Sequence, residues 1–137
     1  MELNALKQAM EGELDWDATM RVCYATDASV YRELPVAVAR PRGTEDLRRL
    51  LAFAREHCVP LIPRAAGTSL AGQVVGGGIV VDVGVHMNRI LEIDAANRRV
   101  RVEPGVVRDE LNRALRPHGL MFAPETSTSN RAMIGGM

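Results

Sequence analysis

The order of elements read along the chain predicts an α+β domain, a small mixed sheet flanked by helices. Three observations carry that expectation. Short apolar runs at 35–40, 60–63 and 78–83 have strand character, with an amphipathic helical stretch and a glycine-rich loop between them. Around the turn "AANR" lie two extended segments, in the second of which Val100 and Val102 alternate with Arg99, Arg101 and Glu103, as in a half-exposed hairpin. A second amphipathic helix and one more extended run, "LMFAP", complete the order.

Residues 2–10 read as a short helix with Leu3, Leu6 and Met10 on one side and Gly12 as its stop. The stretch 13–35 carries less pattern; Trp16, Val22 and Tyr24 are expected to pack on the body, and "TDASVYRELP" reads as a loop. "PVAVAR" is the first strand. In "GTEDLRRLLAFAREHCVP", Thr44 is the expected N-cap, Glu45 and Asp46 suit the first turn, and Leu47, Leu50, Leu51 and Ala54 recur at helical spacing up to Pro60. "PLIP" and "GIVVDV" are the next strands. In the second helix Val107, Leu111, Ala114 and Leu115 share a face, ended by Pro117 and Gly119.

The totals limit what such a chain can be. At 137 residues it suits one domain, burying about two-thirds of its unfolded surface. Lys plus Arg equals Asp plus Glu at 17 each, so net charge favours neither nucleic acid nor an anionic membrane. No run approaches the ~20 apolar residues of a membrane span, and the acidic start "MELNALKQAMEGELD" is unlike a signal peptide, so a cytoplasmic setting is expected. Cys23 and Cys58 lack CxxC spacing and read as two reduced thiols; His57 beside Cys58 does not make a metal site. His86 and His118 read as surface or packing residues.

The stretch "IPRAAGTSLAGQVVGGG" concentrates small residues directly after an apolar run. A Walker-type loop needs a lysine, and the only basic residue near this one is Arg64. A dinucleotide loop of the strand–helix type must open a helix, whereas this one leads into "IVVDV". There remain a plain turn that binds nothing and a backbone nest. In the nest, the missing side chains of Ala65, Ala66, Gly67, Ala71 and Gly72 let an anion approach the amides, and Thr68 and Ser69 add hydroxyls.

The phrase "P-x-x-P-R-A-A-G-T-S-L-A-G-Q", followed some fifty residues later by "APETSTSNRAMIGGM", resembles the FAD-binding domain of the vanillyl-alcohol oxidase and p-cresol methylhydroxylase superfamily. The D-lactate, glycolate and D-2-hydroxyglutarate dehydrogenase branch is the nearest likeness, and "MNRILEID" and "VRVEPGVVRDELNRAL" share it. The resemblance implies the first subdomain of such a domain, a lead-in over 1–34 and an incomplete FAD-binding part over 35–137. It implies FAD pyrophosphate binding at Arg64, Ala65, Ala66, Gly67, Thr68, Ser69, Leu70, Gly72 and Gln73. It implies flavin and ribityl contacts at Pro124, Glu125, Thr126, Ser127, Ile134, Gly135, Gly136 and Met137. Thr68 stands where some relatives carry a flavin-linked histidine, so the FAD is expected to be non-covalent.

By the same likeness the whole enzyme oxidises a small 2-hydroxy acid by hydride transfer to flavin. The chain reaches Met137 inside the motif "IGGM", so an N-terminal fragment is expected: inactive alone, weak in FAD, with an apolar face open to dimerisation. A free-standing nucleotide-binding or interaction domain without flavin chemistry is the alternative. No catalytic residue or metal ligand is expected here. Asp82, Glu92, Asp94, Glu103 and Asp109 read as solvated strand ends, turns and a helix start.

Overall fold

The computed structural model describes residues 2–137. In chain order it places α1 (Leu3–Ala9), β1 (Glu13–Asp15), α2 (Ala18–Cys23), β2 (Ala37–Arg40), α3 (Thr44–His57), β3 (Leu61–Arg64), β4 (Ile79–Asp82), β5 (Ile90–Asp94), β6 (Arg99–Val102) and α4 (Arg108–Leu115). Two 3-10 turns, Arg116–His118 and Ile134–Gly136, follow. The α+β architecture is therefore as expected, with a mixed sheet of order β1-β2-β4-β3.

In that sheet β2, β4 and β3 run parallel, with Val38 opposite Val80 and Ile62 opposite Val80 from the other side. β1 is antiparallel to β2, with Leu14 opposite Ala39. β4 lies in the middle and is buried along its whole length, which suits the unbroken apolar run "IVV". One face of the sheet packs Leu14, Ala37, Ala39, Ile79 and Val81 against Leu6 and Met10 of the N-terminal segment and against Leu50 and Phe53 of α3. Such burial contributes about 1.5–3 kcal/mol for each large side chain.

The second body is the β5–β6 hairpin with α4 across it. Val106, Leu111 and Leu115 are buried against Ile90, Ile93, Val100 and Val102. Gly119 closes the helical segment in the left-handed conformation.

Several expectations need correction. β1 and α2 were not expected between 13 and 35: the strand is only three residues long, and α2 buries none of its side chains. Val22 is accordingly half exposed, whereas Trp16 packs on the core as expected. Thr44 is the first helical residue of α3 and not its cap, a position held by Gly43, which makes no side-chain bond. Asp46, in the first turn, instead reaches back out of the helix and accepts the amides of Arg42, Glu11 and Gly12 at 3.0, 2.9 and 2.9 Å.

Leu51 points outward at 61% exposure, because it stands about 100° around the axis from Leu50, beyond the edge of the face that Leu47, Leu50 and Phe53 present to the sheet. "LMFAP" is not a strand. Its Phe122 amide donates to Asn112 Oδ1 at 2.7 Å, so a side chain of α4 satisfies it in place of a neighbouring strand. Two of the five carboxylates are buried rather than solvated. Glu103 grips Arg89 through its guanidinium at 2.7 Å and its amide at 2.8 Å. Asp82 accepts the Tyr24 hydroxyl at 2.6 Å and the Gly84 amide at 2.8 Å.

Candidate functional site

Parallel strands point their carboxyl ends at one edge of a sheet, where ligands of open α/β sheets commonly bind. Here β3 ends at Arg64 and β4 at Asp82, and the loop 65–78 leaves from that edge. The tail from Thr126 onward faces the same edge. Between loop and tail lies a cleft of about 480 Å³, within the range of small-molecule sites.

The structure brings Arg64, Ala65, Ala66, Gly67, Thr68, Ser69 and Gln73 of the first motif to this cleft. From the second it brings Thr126, Ser127, Gly135, Gly136 and Met137. The others lie elsewhere. Leu70 is 82% exposed, and Gly72 sits against the Tyr31 ring. Pro124 spends its carbonyl on Arg108 Nε at 2.6 Å, and Ile134 turns into the hairpin core. Glu125 is exposed and off the cleft. The motif reading passed over Val74, Val83, Thr128, Ala132 and Met133, which also line it. Thr128, Ala132 and Met133 lie inside the quoted "APETSTSNRAMIGGM", and Pro63, which lines the cleft as well, lies inside the first motif. The motifs themselves thus carried a signal for these four, whereas Val74 and Val83 lie outside the first motif phrase.

The loop wall is built mostly of backbone. Gly67 has φ +66°, and a Cβ there would stand 2.6 Å from the Arg64 guanidinium, so both conformation and space call for glycine. Its carbonyl accepts the Ala28 amide at 3.1 Å. Among the described residues, the amides of Gly67, Thr68 and Ser69 donate to no protein acceptor. Ser69 Oγ accepts from Ala71, which fixes the turn beyond.

Among the described residues, Arg64 is the only charged side chain on the cleft. Its guanidinium donates to the Thr26 carbonyl at 2.7 Å and lies 5.1 Å over the Tyr24 ring. Burial, followed by the hydrogen bond to Asp82, pushes the Tyr24 hydroxyl up to about 12, so it stays a neutral donor.

The opposite wall hangs on α4 and on the turn between β6 and α4. Ile134 N donates to Val106 O at 2.9 Å, Gly135 N to Pro104 O at 2.8 Å, and Arg108 N to Ala132 O at 2.9 Å. Ser129 Oγ donates to Asp109 at 3.1 Å. Thr126 Oγ1 lies on this wall, buried, with no partner among the described residues. No group of three or more His, Cys, Asp or Glu among the described residues is placed to hold a metal ion. No helix among them is long and apolar enough to cross a membrane.

Known proteins share both the sequence and the fold. A D-2-hydroxyglutarate dehydrogenase of Pseudomonas putida is 48% identical over 139 aligned positions, covering 98% of this chain and 14% of that protein. A glycolate oxidase subunit, GlcD, of Bacillus subtilis is 40% identical over 85% of this chain and 25% of its own length. The chain thus spans about 14% of the dehydrogenase it matches. Among solved structures, alkyldihydroxyacetonephosphate synthase superposes with a TM-score of 0.85 at 19% identity, over 98% of this chain and 28% of the other. p-Cresol methylhydroxylase gives 0.77 at 18%, over 96% and 28%. At such identity these two speak for the fold. The pattern described as FAD binding domain matches residues 35–137, three-quarters of the sequence, and the chain belongs to that family.

Proposed function

We propose that this chain forms the FAD pyrophosphate wall of a flavin-dependent oxidoreductase that acts on a small 2-hydroxy acid, of the D-2-hydroxyglutarate, glycolate or D-lactate type. The observation that carries the reading is the meeting of two distant motifs, 64–69 and 126–136, across one cleft whose walls hold unspent hydrogen-bonding groups.

The residues present fit the cofactor. Free amides at Gly67, Thr68 and Ser69, one arginine and no carboxylate side chain suit a diphosphate. The orphaned Thr126 Oγ1 would gain a partner on binding, and Gly136, where a Cβ would stand 3.2 Å from that of Ala65, keeps the cleft open. When bound, FAD supplies the redox chemistry by accepting a hydride at its flavin. The work of this chain is to bind and orient: Gly67–Ser69 hold the diphosphate, while Thr126, Ser127, Gly135 and Gly136 border the ribityl and flavin side.

Thr68 has no group able to form a histidyl link, so the cofactor is held without a covalent bond. No residue of this cleft is assigned a catalytic role, and no turnover is expected from residues 1–137 alone. A reducing, cytoplasmic setting belongs to the same reading and agrees with the free, exposed thiols of Cys23 and Cys58.

Titration with FAD, followed by flavin fluorescence and thermal shift, tests the proposal. Saturable binding that disappears in Gly67→Val supports it. Equal binding by the parent and Gly67→Val would place the flavin elsewhere and overturn it.

A further inference from the structure

We propose that residues 24–31, which precede the matched domain, form a strap that holds the glycine-rich loop ready for an anion, with Tyr24 as the positioning residue for Arg64. The proposal rests on the FAD reading of the cleft and extends it to a segment that lies before residue 35, outside the family match.

Four contacts spaced along the strap meet the loop in order. The Tyr24 ring lies under the Arg64 guanidinium at 5.1 Å. Thr26 O accepts from Arg64 Nη1 at 2.7 Å. Ala28 N donates to Gly67 O at 3.1 Å. Tyr31 lies so close to Gly72 that a Cβ there would stand 2.6 Å from its ring.

The strap is itself fixed. Ala25 is fully buried, Thr26 pairs with Arg32 across the bend, and Glu33 N donates to Ala25 O at 3.0 Å. Asp27 takes the Ser29 amide at 2.8 Å, and Ser29 Oγ takes the Tyr31 amide at 3.1 Å. The Tyr24 hydroxyl is tied to Asp82 at the end of β4, so the ring cannot swing away from the strand edge that carries the loop.

The charge arrangement explains why a ring and a carbonyl do this work. Among the described residues, Arg64 makes no salt bridge within 4.0 Å. The strap's own Asp27 feels its charge from farther off, behind the Ser29 amide that it accepts, and does not pair with it. An aromatic face and one carbonyl orient the planar guanidinium while leaving its remaining donors to a ligand. A carboxylate in the same place would orient it equally well but would repel a diphosphate. Gly67 and Gly72, held by Ala28 and Tyr31, are the two positive-φ positions of the loop, where an unrestrained chain would have most freedom to lose on binding.

Two measurements on the chain test this. The first is the Arg64 Nε–H proton resonance, assigned by its absence in Arg64→Met. It is expected to be shifted by the aromatic ring in the parent and in Tyr24→Phe, and to return to the ordinary arginine position in Tyr24→Leu. The second is FAD affinity in a double-mutant cycle. Tyr24→Leu should weaken binding roughly threefold to thirtyfold beside Arg64, and should have no further effect in the Arg64→Met background.

An unshifted Arg64 resonance in the parent overturns the proposal, and it does so even if Tyr24→Leu fails to fold. Equal weakening in both backgrounds overturns it too, because Tyr24 would then act only through stability. A shifted resonance in a parent that does not bind FAD would instead count against the FAD reading and leave the positioning of Arg64 standing.

Discussion

At the scale of single residues, two side chains have effects that can be separated by experiment. Gly67 is required by its left-handed backbone and by the guanidinium packed over it. Gly67→Val should therefore cost about 1–3 kcal/mol of stability and raise the FAD dissociation constant well beyond what that loss explains; denaturant melts beside FAD titrations separate the two. Asp46 has no part in the cleft but ties α3 to the N-terminal segment through the amides of Glu11 and Gly12, and holds the turn before the helix through that of Arg42. Although burial raises its pKa, those amides and Arg49 outweigh burial and hold the carboxyl below its ordinary value of 3.8. A carboxyl depressed in the folded state stabilises the fold fully above that ordinary value, and its contribution vanishes as pH falls through the lower folded value. Asp46→Asn should thus cost about 2–4 kcal/mol at neutral pH. Urea midpoints taken from about pH 6 down to about pH 2 should show the parent holding that margin until pH falls below the ordinary carboxylate value and losing it progressively beneath, while the variant changes less. Parallel pH profiles would exclude Asp46 as the source.

At the scale of elements, strong periodicity was legible and weak periodicity was not. α3, α4, β2, β3, β4 and the hairpin were all readable, because each repeats an apolar residue often enough to reveal its period. β1 escaped because Leu14 is the only fully buried side chain among its three residues, and its partner Ala39 lies far along the chain. α2 escaped because it buries no side chain. Within α3, spacing alone grouped Leu51 with Leu50, although successive residues stand ~100° apart around the axis. The difference can be measured. Leu50→Ala, at a fully buried position, should cost about 2–5 kcal/mol. Leu51→Gln, at an exposed one, should stay within about 0.5 kcal/mol of the parent. Equal losses from both would mean that this helix docks on another face. The site was legible in the same uneven way: small residues and hydroxyls marked the two loops, Thr128 among them, but the apolar Val74 and Val83 reach the cleft only through tertiary folding, which no local pattern encodes.

At the scale of the whole molecule, two cores of unequal size meet at the cleft. The sheet body buries residues from Leu6 to Val81 in one cluster, whereas among the described residues the cluster of the hairpin body buries Val106, Leu111 and Leu115 alone. A two-stranded hairpin is marginal by itself, so the second body depends on α4 and on its junction with the first. That junction is narrow. Gly105 N donates to Met87 O at 2.7 Å, and the Met133 thioether lies against Gly84. A ligand that touches Gly67 on one wall and Thr126 on the other would bridge the two bodies at their weakest place. Amide exchange should therefore be faster at Val100, Val102 and Leu111 than at Val38, Val80 and Val81 in the free chain. With FAD at 100 times its dissociation constant, opening events that destroy the site should slow by about a hundredfold, a stabilisation of about 2.7 kcal/mol. The slowing should be largest in 126–136 and in the hairpin, which gain a second attachment, and smallest in β2 and β4, which open only with the whole fold. Uniform slowing would show that the two cores already unfold as one unit. Slowing confined to 64–73 would show that the cofactor rests on the loop wall alone, and the tail would then have no share in binding it.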